Sequence, residues 1–185
     1  IDATTEVLDL RGRMLAPGFQ DAHGHPVSGG VDRLQCDLHD LSTEEEYLLA
    51  IKTFAEDHPE REWILGGGWS LDVFPGGTPT KELLDDVVPG RCVYLPNRDG
   101  HSTWVNSRAL ELAGVTKDTP DPADGRIERA DDGEPSGTLH EGAAYSFADA
   151  HLPPPPQEEW ERAILLAQEH LHALGITGWQ DAWVT

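Results

Sequence analysis

Apolar positions recur along this chain with two different periods, about two residues in some stretches and three to four in others. Thr5 to Ala16 alternates around Gly12, as a strand, turn and strand would, and Pro17-Gly18 closes it. Phe19 to His23 then reads as a short extended segment. Glu62 to Gly68 predicts a buried strand running into a glycine-rich loop, Arg91 to Pro96 a third apolar strand, and Ile176 to Asp181 a fourth. Between them lie helical patterns. Ser42 caps a helix with Glu45 completing an S-x-x-E box, and Tyr47, Ala50, Ile51 and Phe54 form its stripe. Thr78-Pro79 starts a short helix through Leu83 and Leu84. Asn106 caps Ser107 to Ala113, which Gly114 ends. Gln157 to Leu174 places Trp160, Ala163, Ile164, Ala167, Leu171 and Leu174 on one face, with Gly175 as its stop.

Two stretches fit neither period. Thr116 to Pro135 turns to Asp, Pro and Gly and reads as a long loop or an excursion, and Pro153 to Pro156 form a stiff spacer. No internal repeat is visible. Apolar strands alternating with amphipathic helices predict an α/β fold with a parallel sheet.

Composition narrows the partners. The 185 residues carry 34 Asp and Glu against 13 Lys and Arg, a formal net charge of −21, while 38% hydrophobic residues suffice for a packed core. Such a charge repels nucleic acid and anionic membrane surfaces. No apolar run is long enough to cross a bilayer, and no basic-then-apolar leader opens the sequence. The only lysines are Lys52, Lys81 and Lys117. That imbalance resembles the surfaces of salt-in halophiles, although an ordinary acidic enzyme explains the charge alone equally well. Cys36 and Cys92 are too few for a disulfide scaffold and read as free buried thiols, which fits a reducing cytoplasm.

The sharpest chemical signal is Asp21-Ala-His23-Gly-His25. Residues two apart on a strand share a face, so two imidazoles there can grip one metal ion while Asp21 supports them from behind. An isolated H-x-H also describes two polar histidines in an exposed turn. The position directly after an apolar strand favours the metal reading, because ligands bind at the carboxyl ends of parallel strands. His101, in Asp99-Gly-His101, follows another strand and can polarise a carbonyl or hold a carboxylate, or simply bond its own backbone. Glu141 taken alone is a solvated carboxylate. His39, His58, His151, His170 and His172 lack partners at metal-ligand spacing and read as surface or packing residues.

Taken in order, several segments carry a family resemblance. Val7 to Arg13 followed by Met14-Leu-Ala-Pro-Gly-Phe-Gln-Asp-Ala-His-Gly-His25 resembles the entry into the barrel of the amidohydrolase superfamily. Trp63 to Trp69, Asp99 to Gly114, Gly137 to Glu141 and Gly175 to Ala182 are similar to its branch of N-substituted formamide deformylase-like proteins. The resemblance implies a metal-dependent hydrolase on a TIM-type (β/α)₈ barrel with an accessory β-sandwich. On that basis residues 1–16 are remnant sandwich strands, and residues 17–185 are the first half of the barrel with an irregular excursion at about 116–156.

It further implies that His23 and His25 bind metal and that Glu141 completes the shell, where relatives use a carboxylated lysine. His101 acts on the substrate, Trp69 and Asp99 contact it, and Asp21 buttresses the ligands. Zinc is the default ion for imidazole and carboxylate donors, with iron or manganese as alternatives. The expected substrate is a small amide or formamide. A complete barrel takes about 250 residues, so the chain is expected to be part of a longer hydrolase whose open sheet edges favour self-association. The rival expectation is a non-catalytic barrel fragment that folds, associates or binds metal without a complete active site.

Overall fold

The computed structural model describes residues 2 and 4–182, so the outermost positions of the expected segments 1–16 and 17–185 lie outside the described residues. Strands and helices follow in the order β1 (Phe19–Gly24), α1 (Pro26–Asp32), β2 (Cys36–Asp37), α2 (Glu44–Asp57), β3 (Trp63–Gly67), α3 (Lys81–Val87), β4 (Cys92–Pro96) and β5 (Ser102–Val105). They continue with α4 (Ser107–Ala113), β6 (Gly125–Arg129), β7 (Pro135–Glu141), α5 (Gly142–His151), α6 (Gln157–Ala173) and β8 (Ile176–Asp181). Two short 3₁₀ turns, Leu71–Val73 and Pro75–Gly77, join β3 to α3.

The strands form two sheets. β1 and β8 make a two-stranded parallel pair, and the other six are ordered β2-β3-β4-β5-β7-β6. Within the larger sheet β2, β3 and β4 run parallel, whereas β5, β7 and β6 are antiparallel. The class is therefore mixed α/β. The four strands expected from sequence do not share one half-barrel sheet: β1 and β8 pair with each other, and β3 and β4 pair elsewhere. The segment expected to be irregular contains β6, all of β7 and α5. Sequence concealed β6 because its Gly-Arg-Ile-Glu-Arg offers one apolar residue, and its stability comes from a ladder to β7.

Local chemistry explains the helices. Asn106 Oδ1 accepts from Ala109 N at 3.0 Å, and Gly114 ends α4 in the left-handed region at φ 66°. On α2 the box sits one residue later than expected. Thr43 Oγ1 accepts from Glu46 N, while Glu46 Oε2 accepts from Thr43 N at 3.1 Å and from Ser42 N at 3.0 Å.

Alternate residues of β4 feed two cores. Val93 and Leu95 join Tyr47, Ile51, Ile64, Leu84 and Trp104, whereas Cys92 and Tyr94 join Leu110, Leu139 and Phe147. Both cysteines are free and buried, and burial pushes the Cys36 thiol up to about 12.

α6 packs on α1, and a Cβ at Gly30 would collide with the Ala163 carbonyl, so close approach of the two helices depends on that glycine. Only part of the expected α6 stripe is covered. Ala163 and Ala167 are buried, but Ile164 and Leu174 are exposed.

The expected strands before Pro17 do not form a ladder. Arg11 and Gly12 adopt φ 49° and 78°, and Arg13 N donates to Leu10 O at 3.0 Å, the geometry of a tight hairpin turn. The flanking residues are not strands, however, and Val7, Leu8, Met14 and Leu15 stand exposed. A two-residue turn without a neighbouring sheet cannot hold a lone hairpin together. No helix among the described residues is long and apolar enough to cross a membrane.

Candidate metal and substrate site

β1 carries the H-x-H pair into the start of α1. His23 lies on the strand and His25 is the residue before Pro26, the first of the helix. Their rings lie 5.6 Å apart, centroid to centroid, at 78° to each other, and both side chains are exposed. The β1–β8 register slips between Asp21 and Gly24, where β1 uses one more residue than β8. Bulges of this kind re-aim side chains at the ends of strands. Asp21 stabilises the bulge, its Oδ1 accepting from His23 N at 3.0 Å. From β8, Asp181 Oδ1 lies 3.9 Å from His25 Nδ1.

The donor chemistry suits a divalent ion, since two adjacent imidazoles and a nearby carboxylate are borderline ligands. The shell is incomplete: among the described residues no three His, Cys, Asp or Glu side chains are grouped to hold a metal ion. Glu141 is engaged elsewhere. Its Oε2 takes His101 Nδ1 at 3.1 Å and the Tyr145 hydroxyl at 3.2 Å. Its backbone N donates to His101 O at 2.9 Å. Glu141 sits at φ 51°, a left-handed conformation costly for a residue with a Cβ, at the junction of β7 and α5. Hydrogen bonding to Glu141, and then its charge, raises the His101 pKa above the ordinary imidazole value. The same hydrogen bond holds the Glu141 carboxyl below its usual range.

A cavity of about 520 Å³ opens at the carboxyl ends of β2, β3 and β4. His25, Ser28, Gly29 and Asp32 border it on one side, and Asp37, His39, Gly66 to Gly68 and Pro96 to Gly100 line the rest. Asp99 is thus placed at the cavity, its Oδ1 also accepting from His101 N at 3.0 Å. Trp69 is not. Its indole is 0% exposed, donates Nε1–H to Leu95 O at 2.7 Å and packs edge-on against Phe74 and Trp104. The expected substrate contact is a core residue, because an aromatic with its N–H satisfied gains more from burial than from exposure.

Three participants escaped the sequence reading. His39 packs over Gly68, where a Cβ would lie 2.5 Å from its Nδ1, and Asp37 Oδ1 orients its ring at 2.7 Å. The D-x-H spacing of Asp37 and His39 matches that of Asp21 and His23 and was the available signal. Asn97, only 4% exposed, lines the cavity, and Tyr145 joins His101 and Glu141. Tyr145 meets His101 44 residues away, whereas the place of Asn97 follows from its burial beside the cavity.

The model of the amidohydrolase family matches residues 6–185. The chain belongs to that family. It is 34% identical to an N-substituted formamide deformylase of Arthrobacter pascens over 97% of this chain and 34% of that protein. It is 36% identical to the putative amidohydrolase YtcJ of Bacillus subtilis, over 94% and 33%, and 35% identical to the protein LONG AFTER FAR-RED 3 of Arabidopsis thaliana, over 95% and 30%. A crystal structure of an uncharacterized metal-dependent hydrolase from Pyrococcus furiosus superposes with a TM-score of 0.56 at 25% identity, covering 88% of this chain and 31% of that one. The amidohydrolase chain thus spans roughly a third of the length of the curated relatives named here.

Proposed function

We propose that this amidohydrolase chain supplies the first part of an active site that hydrolyses the carbon–nitrogen bond of a small non-peptide amide or formamide. The observation that carries the reading is the adjacent His23–His25 pair at the end of β1, with His25 opening onto the cavity above β2 to β4. In this reading β1 and β8 are neighbouring strands of a barrel, completed by parts of the protein outside this sequence. The intervening six-stranded sheet forms one wall over its mouth. The open edges of the β1–β8 pair and the exposed Ile164 and Leu174 would meet that remainder, or a second copy of the chain.

His23 and His25 would hold the metal, zinc by default, with Asp181 close to His25 and Asp21 fixing the bulge that presents them. When bound, the ion supplies Lewis acidity, activating water and polarising the carbonyl. The net reaction adds water across the C–N bond, giving a carboxylic acid and an amine. In this reading His101, held by Glu141 and Tyr145, would orient the substrate or pass a proton to the leaving nitrogen. Glu141 would act by positioning His101 through Oε2, and as a metal ligand it would have to offer its other carboxylate oxygen.

The competing reading, a non-catalytic fragment, draws on the incomplete donor set among the described residues. Zinc-dependent release of amine from N-benzylformamide separates the two readings. Turnover by the protein carrying this chain, lost in His23→Ala and His25→Ala, supports the hydrolase. Equal turnover with and without those histidines refutes it.

A further inference from the structure

Beyond the metal ligands, the cavity at the carboxyl ends of β2 to β4 has a polar character that restricts what can occupy it. Asn97 is 4% exposed and lines this cavity. Its Oδ1 accepts from Ser102 N at 3.0 Å, which fixes the orientation of the amide. Its Nδ2 is buried with no hydrogen-bond partner. A buried donor left unpaired is costly, so a ligand oxygen that reaches it is favoured.

The charges around the cavity decide which oxygen. Asp32, Asp37 and Asp99 border it with Arg98 as the lone lysine or arginine side chain. Arg98 Nη2 is already committed to the His39 carbonyl at 2.6 Å. A carboxylate would satisfy Asn97 but meet three acids against a single guanidinium, whereas the oxygen of a neutral carboxamide satisfies it without that net repulsion. Hydrogen-bond donors on the amide nitrogen suit the same carboxylates.

We infer that this cavity is a subsite for an uncharged amide that takes the amide oxygen on Asn97 Nδ2 and rejects the corresponding carboxylate. The inference rests on the hydrolase reading only for its biological sense: the subsite would admit the neutral substrate and repel the acid released from it.

Phenylacetamide and phenylacetate, nearly identical in shape, are suitable probes. Each is titrated into the ¹⁵N-labelled chain without metal, following the amide signals of Gly66, Gly67, Gly68 and Gly100. Phenylacetamide should shift these signals with an affinity at least about tenfold above that of phenylacetate, the size expected when two acids each lie ~6 Å from the ligand charge in a water-like dielectric and each contributes about threefold. Asn97→Asp keeps an oxygen that accepts from Ser102 N but puts a charged carboxylate oxygen where the donor stood, so it should weaken phenylacetamide binding by about tenfold or more.

Should that variant fail to fold, the pair Asp37→Asn and Asp99→Asn retains the local acceptors. It should raise phenylacetate affinity about tenfold and so abolish the preference for the amide. Equal affinity for the two probes, or no shift of these glycines with either, overturns the inference. The titration needs neither metal nor turnover. A selective subsite in a protein without hydrolysis would therefore refute the proposed function alone, and turnover without selectivity would refute the subsite alone.

Discussion

Replacing Trp69 by alanine tests whether this side chain belongs to the core or to the substrate site. The indole is wholly buried between Phe74 and Trp104, with ring centroids at 5.8 Å and 6.3 Å, and Nε1 donates to Leu95 O at 2.7 Å. Truncating a buried Trp to Ala costs about 3–5 kcal/mol through lost transfer energy and the cavity left behind. The lost hydrogen bond contributes about 0.5–1.5 kcal/mol within that range. Against a total stability of about 5–15 kcal/mol, such a loss leaves the fold marginal. Trp69→Phe keeps most of the packing and removes the N–H, so it should cost about 1–2 kcal/mol. Urea unfolding followed by far-ultraviolet circular dichroism gives both values from the midpoint and slope. A cost below ~1 kcal/mol for Trp69→Ala would show that the indole is not a core group and return it to the substrate site.

Three further outcomes follow from named contacts. Asn106→Ala removes the acceptor for Val93 N and Ala109 N and the donor to Val88 O and Arg91 O; denaturant unfolding should show a loss of about 2–4 kcal/mol. Glu141→Gln should move the His101 titration, read from its ring carbon shifts, to lower pH. In the wild type, any His101 contribution to stability is lost as pH rises through its raised folded-state pKa, and that of Glu141 as pH falls through its lowered one; an unchanged His101 titration would refute the pairing. Finally, with 34 acids and a net charge of −21, the melting temperature should rise from dilute buffer to molar KCl, most steeply where the Debye length shrinks from ~30 Å to ~10 Å. A flat or falling curve would remove the salt-adapted reading and leave the family assignment untouched.

What the sequence disclosed depends on how local each determinant is. α4 was legible because Asn106 and Gly114 act within their own turns. The α2 box slid by one position because Glu46 takes both Ser42 N and Thr43 N, so a pattern with Ser and Thr adjacent is degenerate. β5 was missed because Ser102, Thr103, Trp104 and Val105 are all buried, which erases the polar alternation that marks a strand. The H-x-H spacing singled out the pair, but β1 ends at Gly24 and its register slips after Asp21, so the 5.6 Å approach of the rings comes from the bulge and the start of α1 rather than from a shared strand face. The Glu141–His101–Tyr145 cluster and the place of Asn97 at the cavity arise from pairing across 40 or more residues for the first and from burial for the second. Trp69 shows the opposite failure: a motif suggested contact with substrate, whereas its surroundings make it a core residue.

The central claim is that His23 and His25 together bind a divalent ion. Titrating Zn²⁺ into the chain while observing the ring signals of all nine histidines tests it directly. The account predicts that His23 and His25 shift together at the lowest metal ratios and that His25→Ala abolishes the response of His23. A response confined to other histidines, with His23 and His25 unmoved, would contradict it.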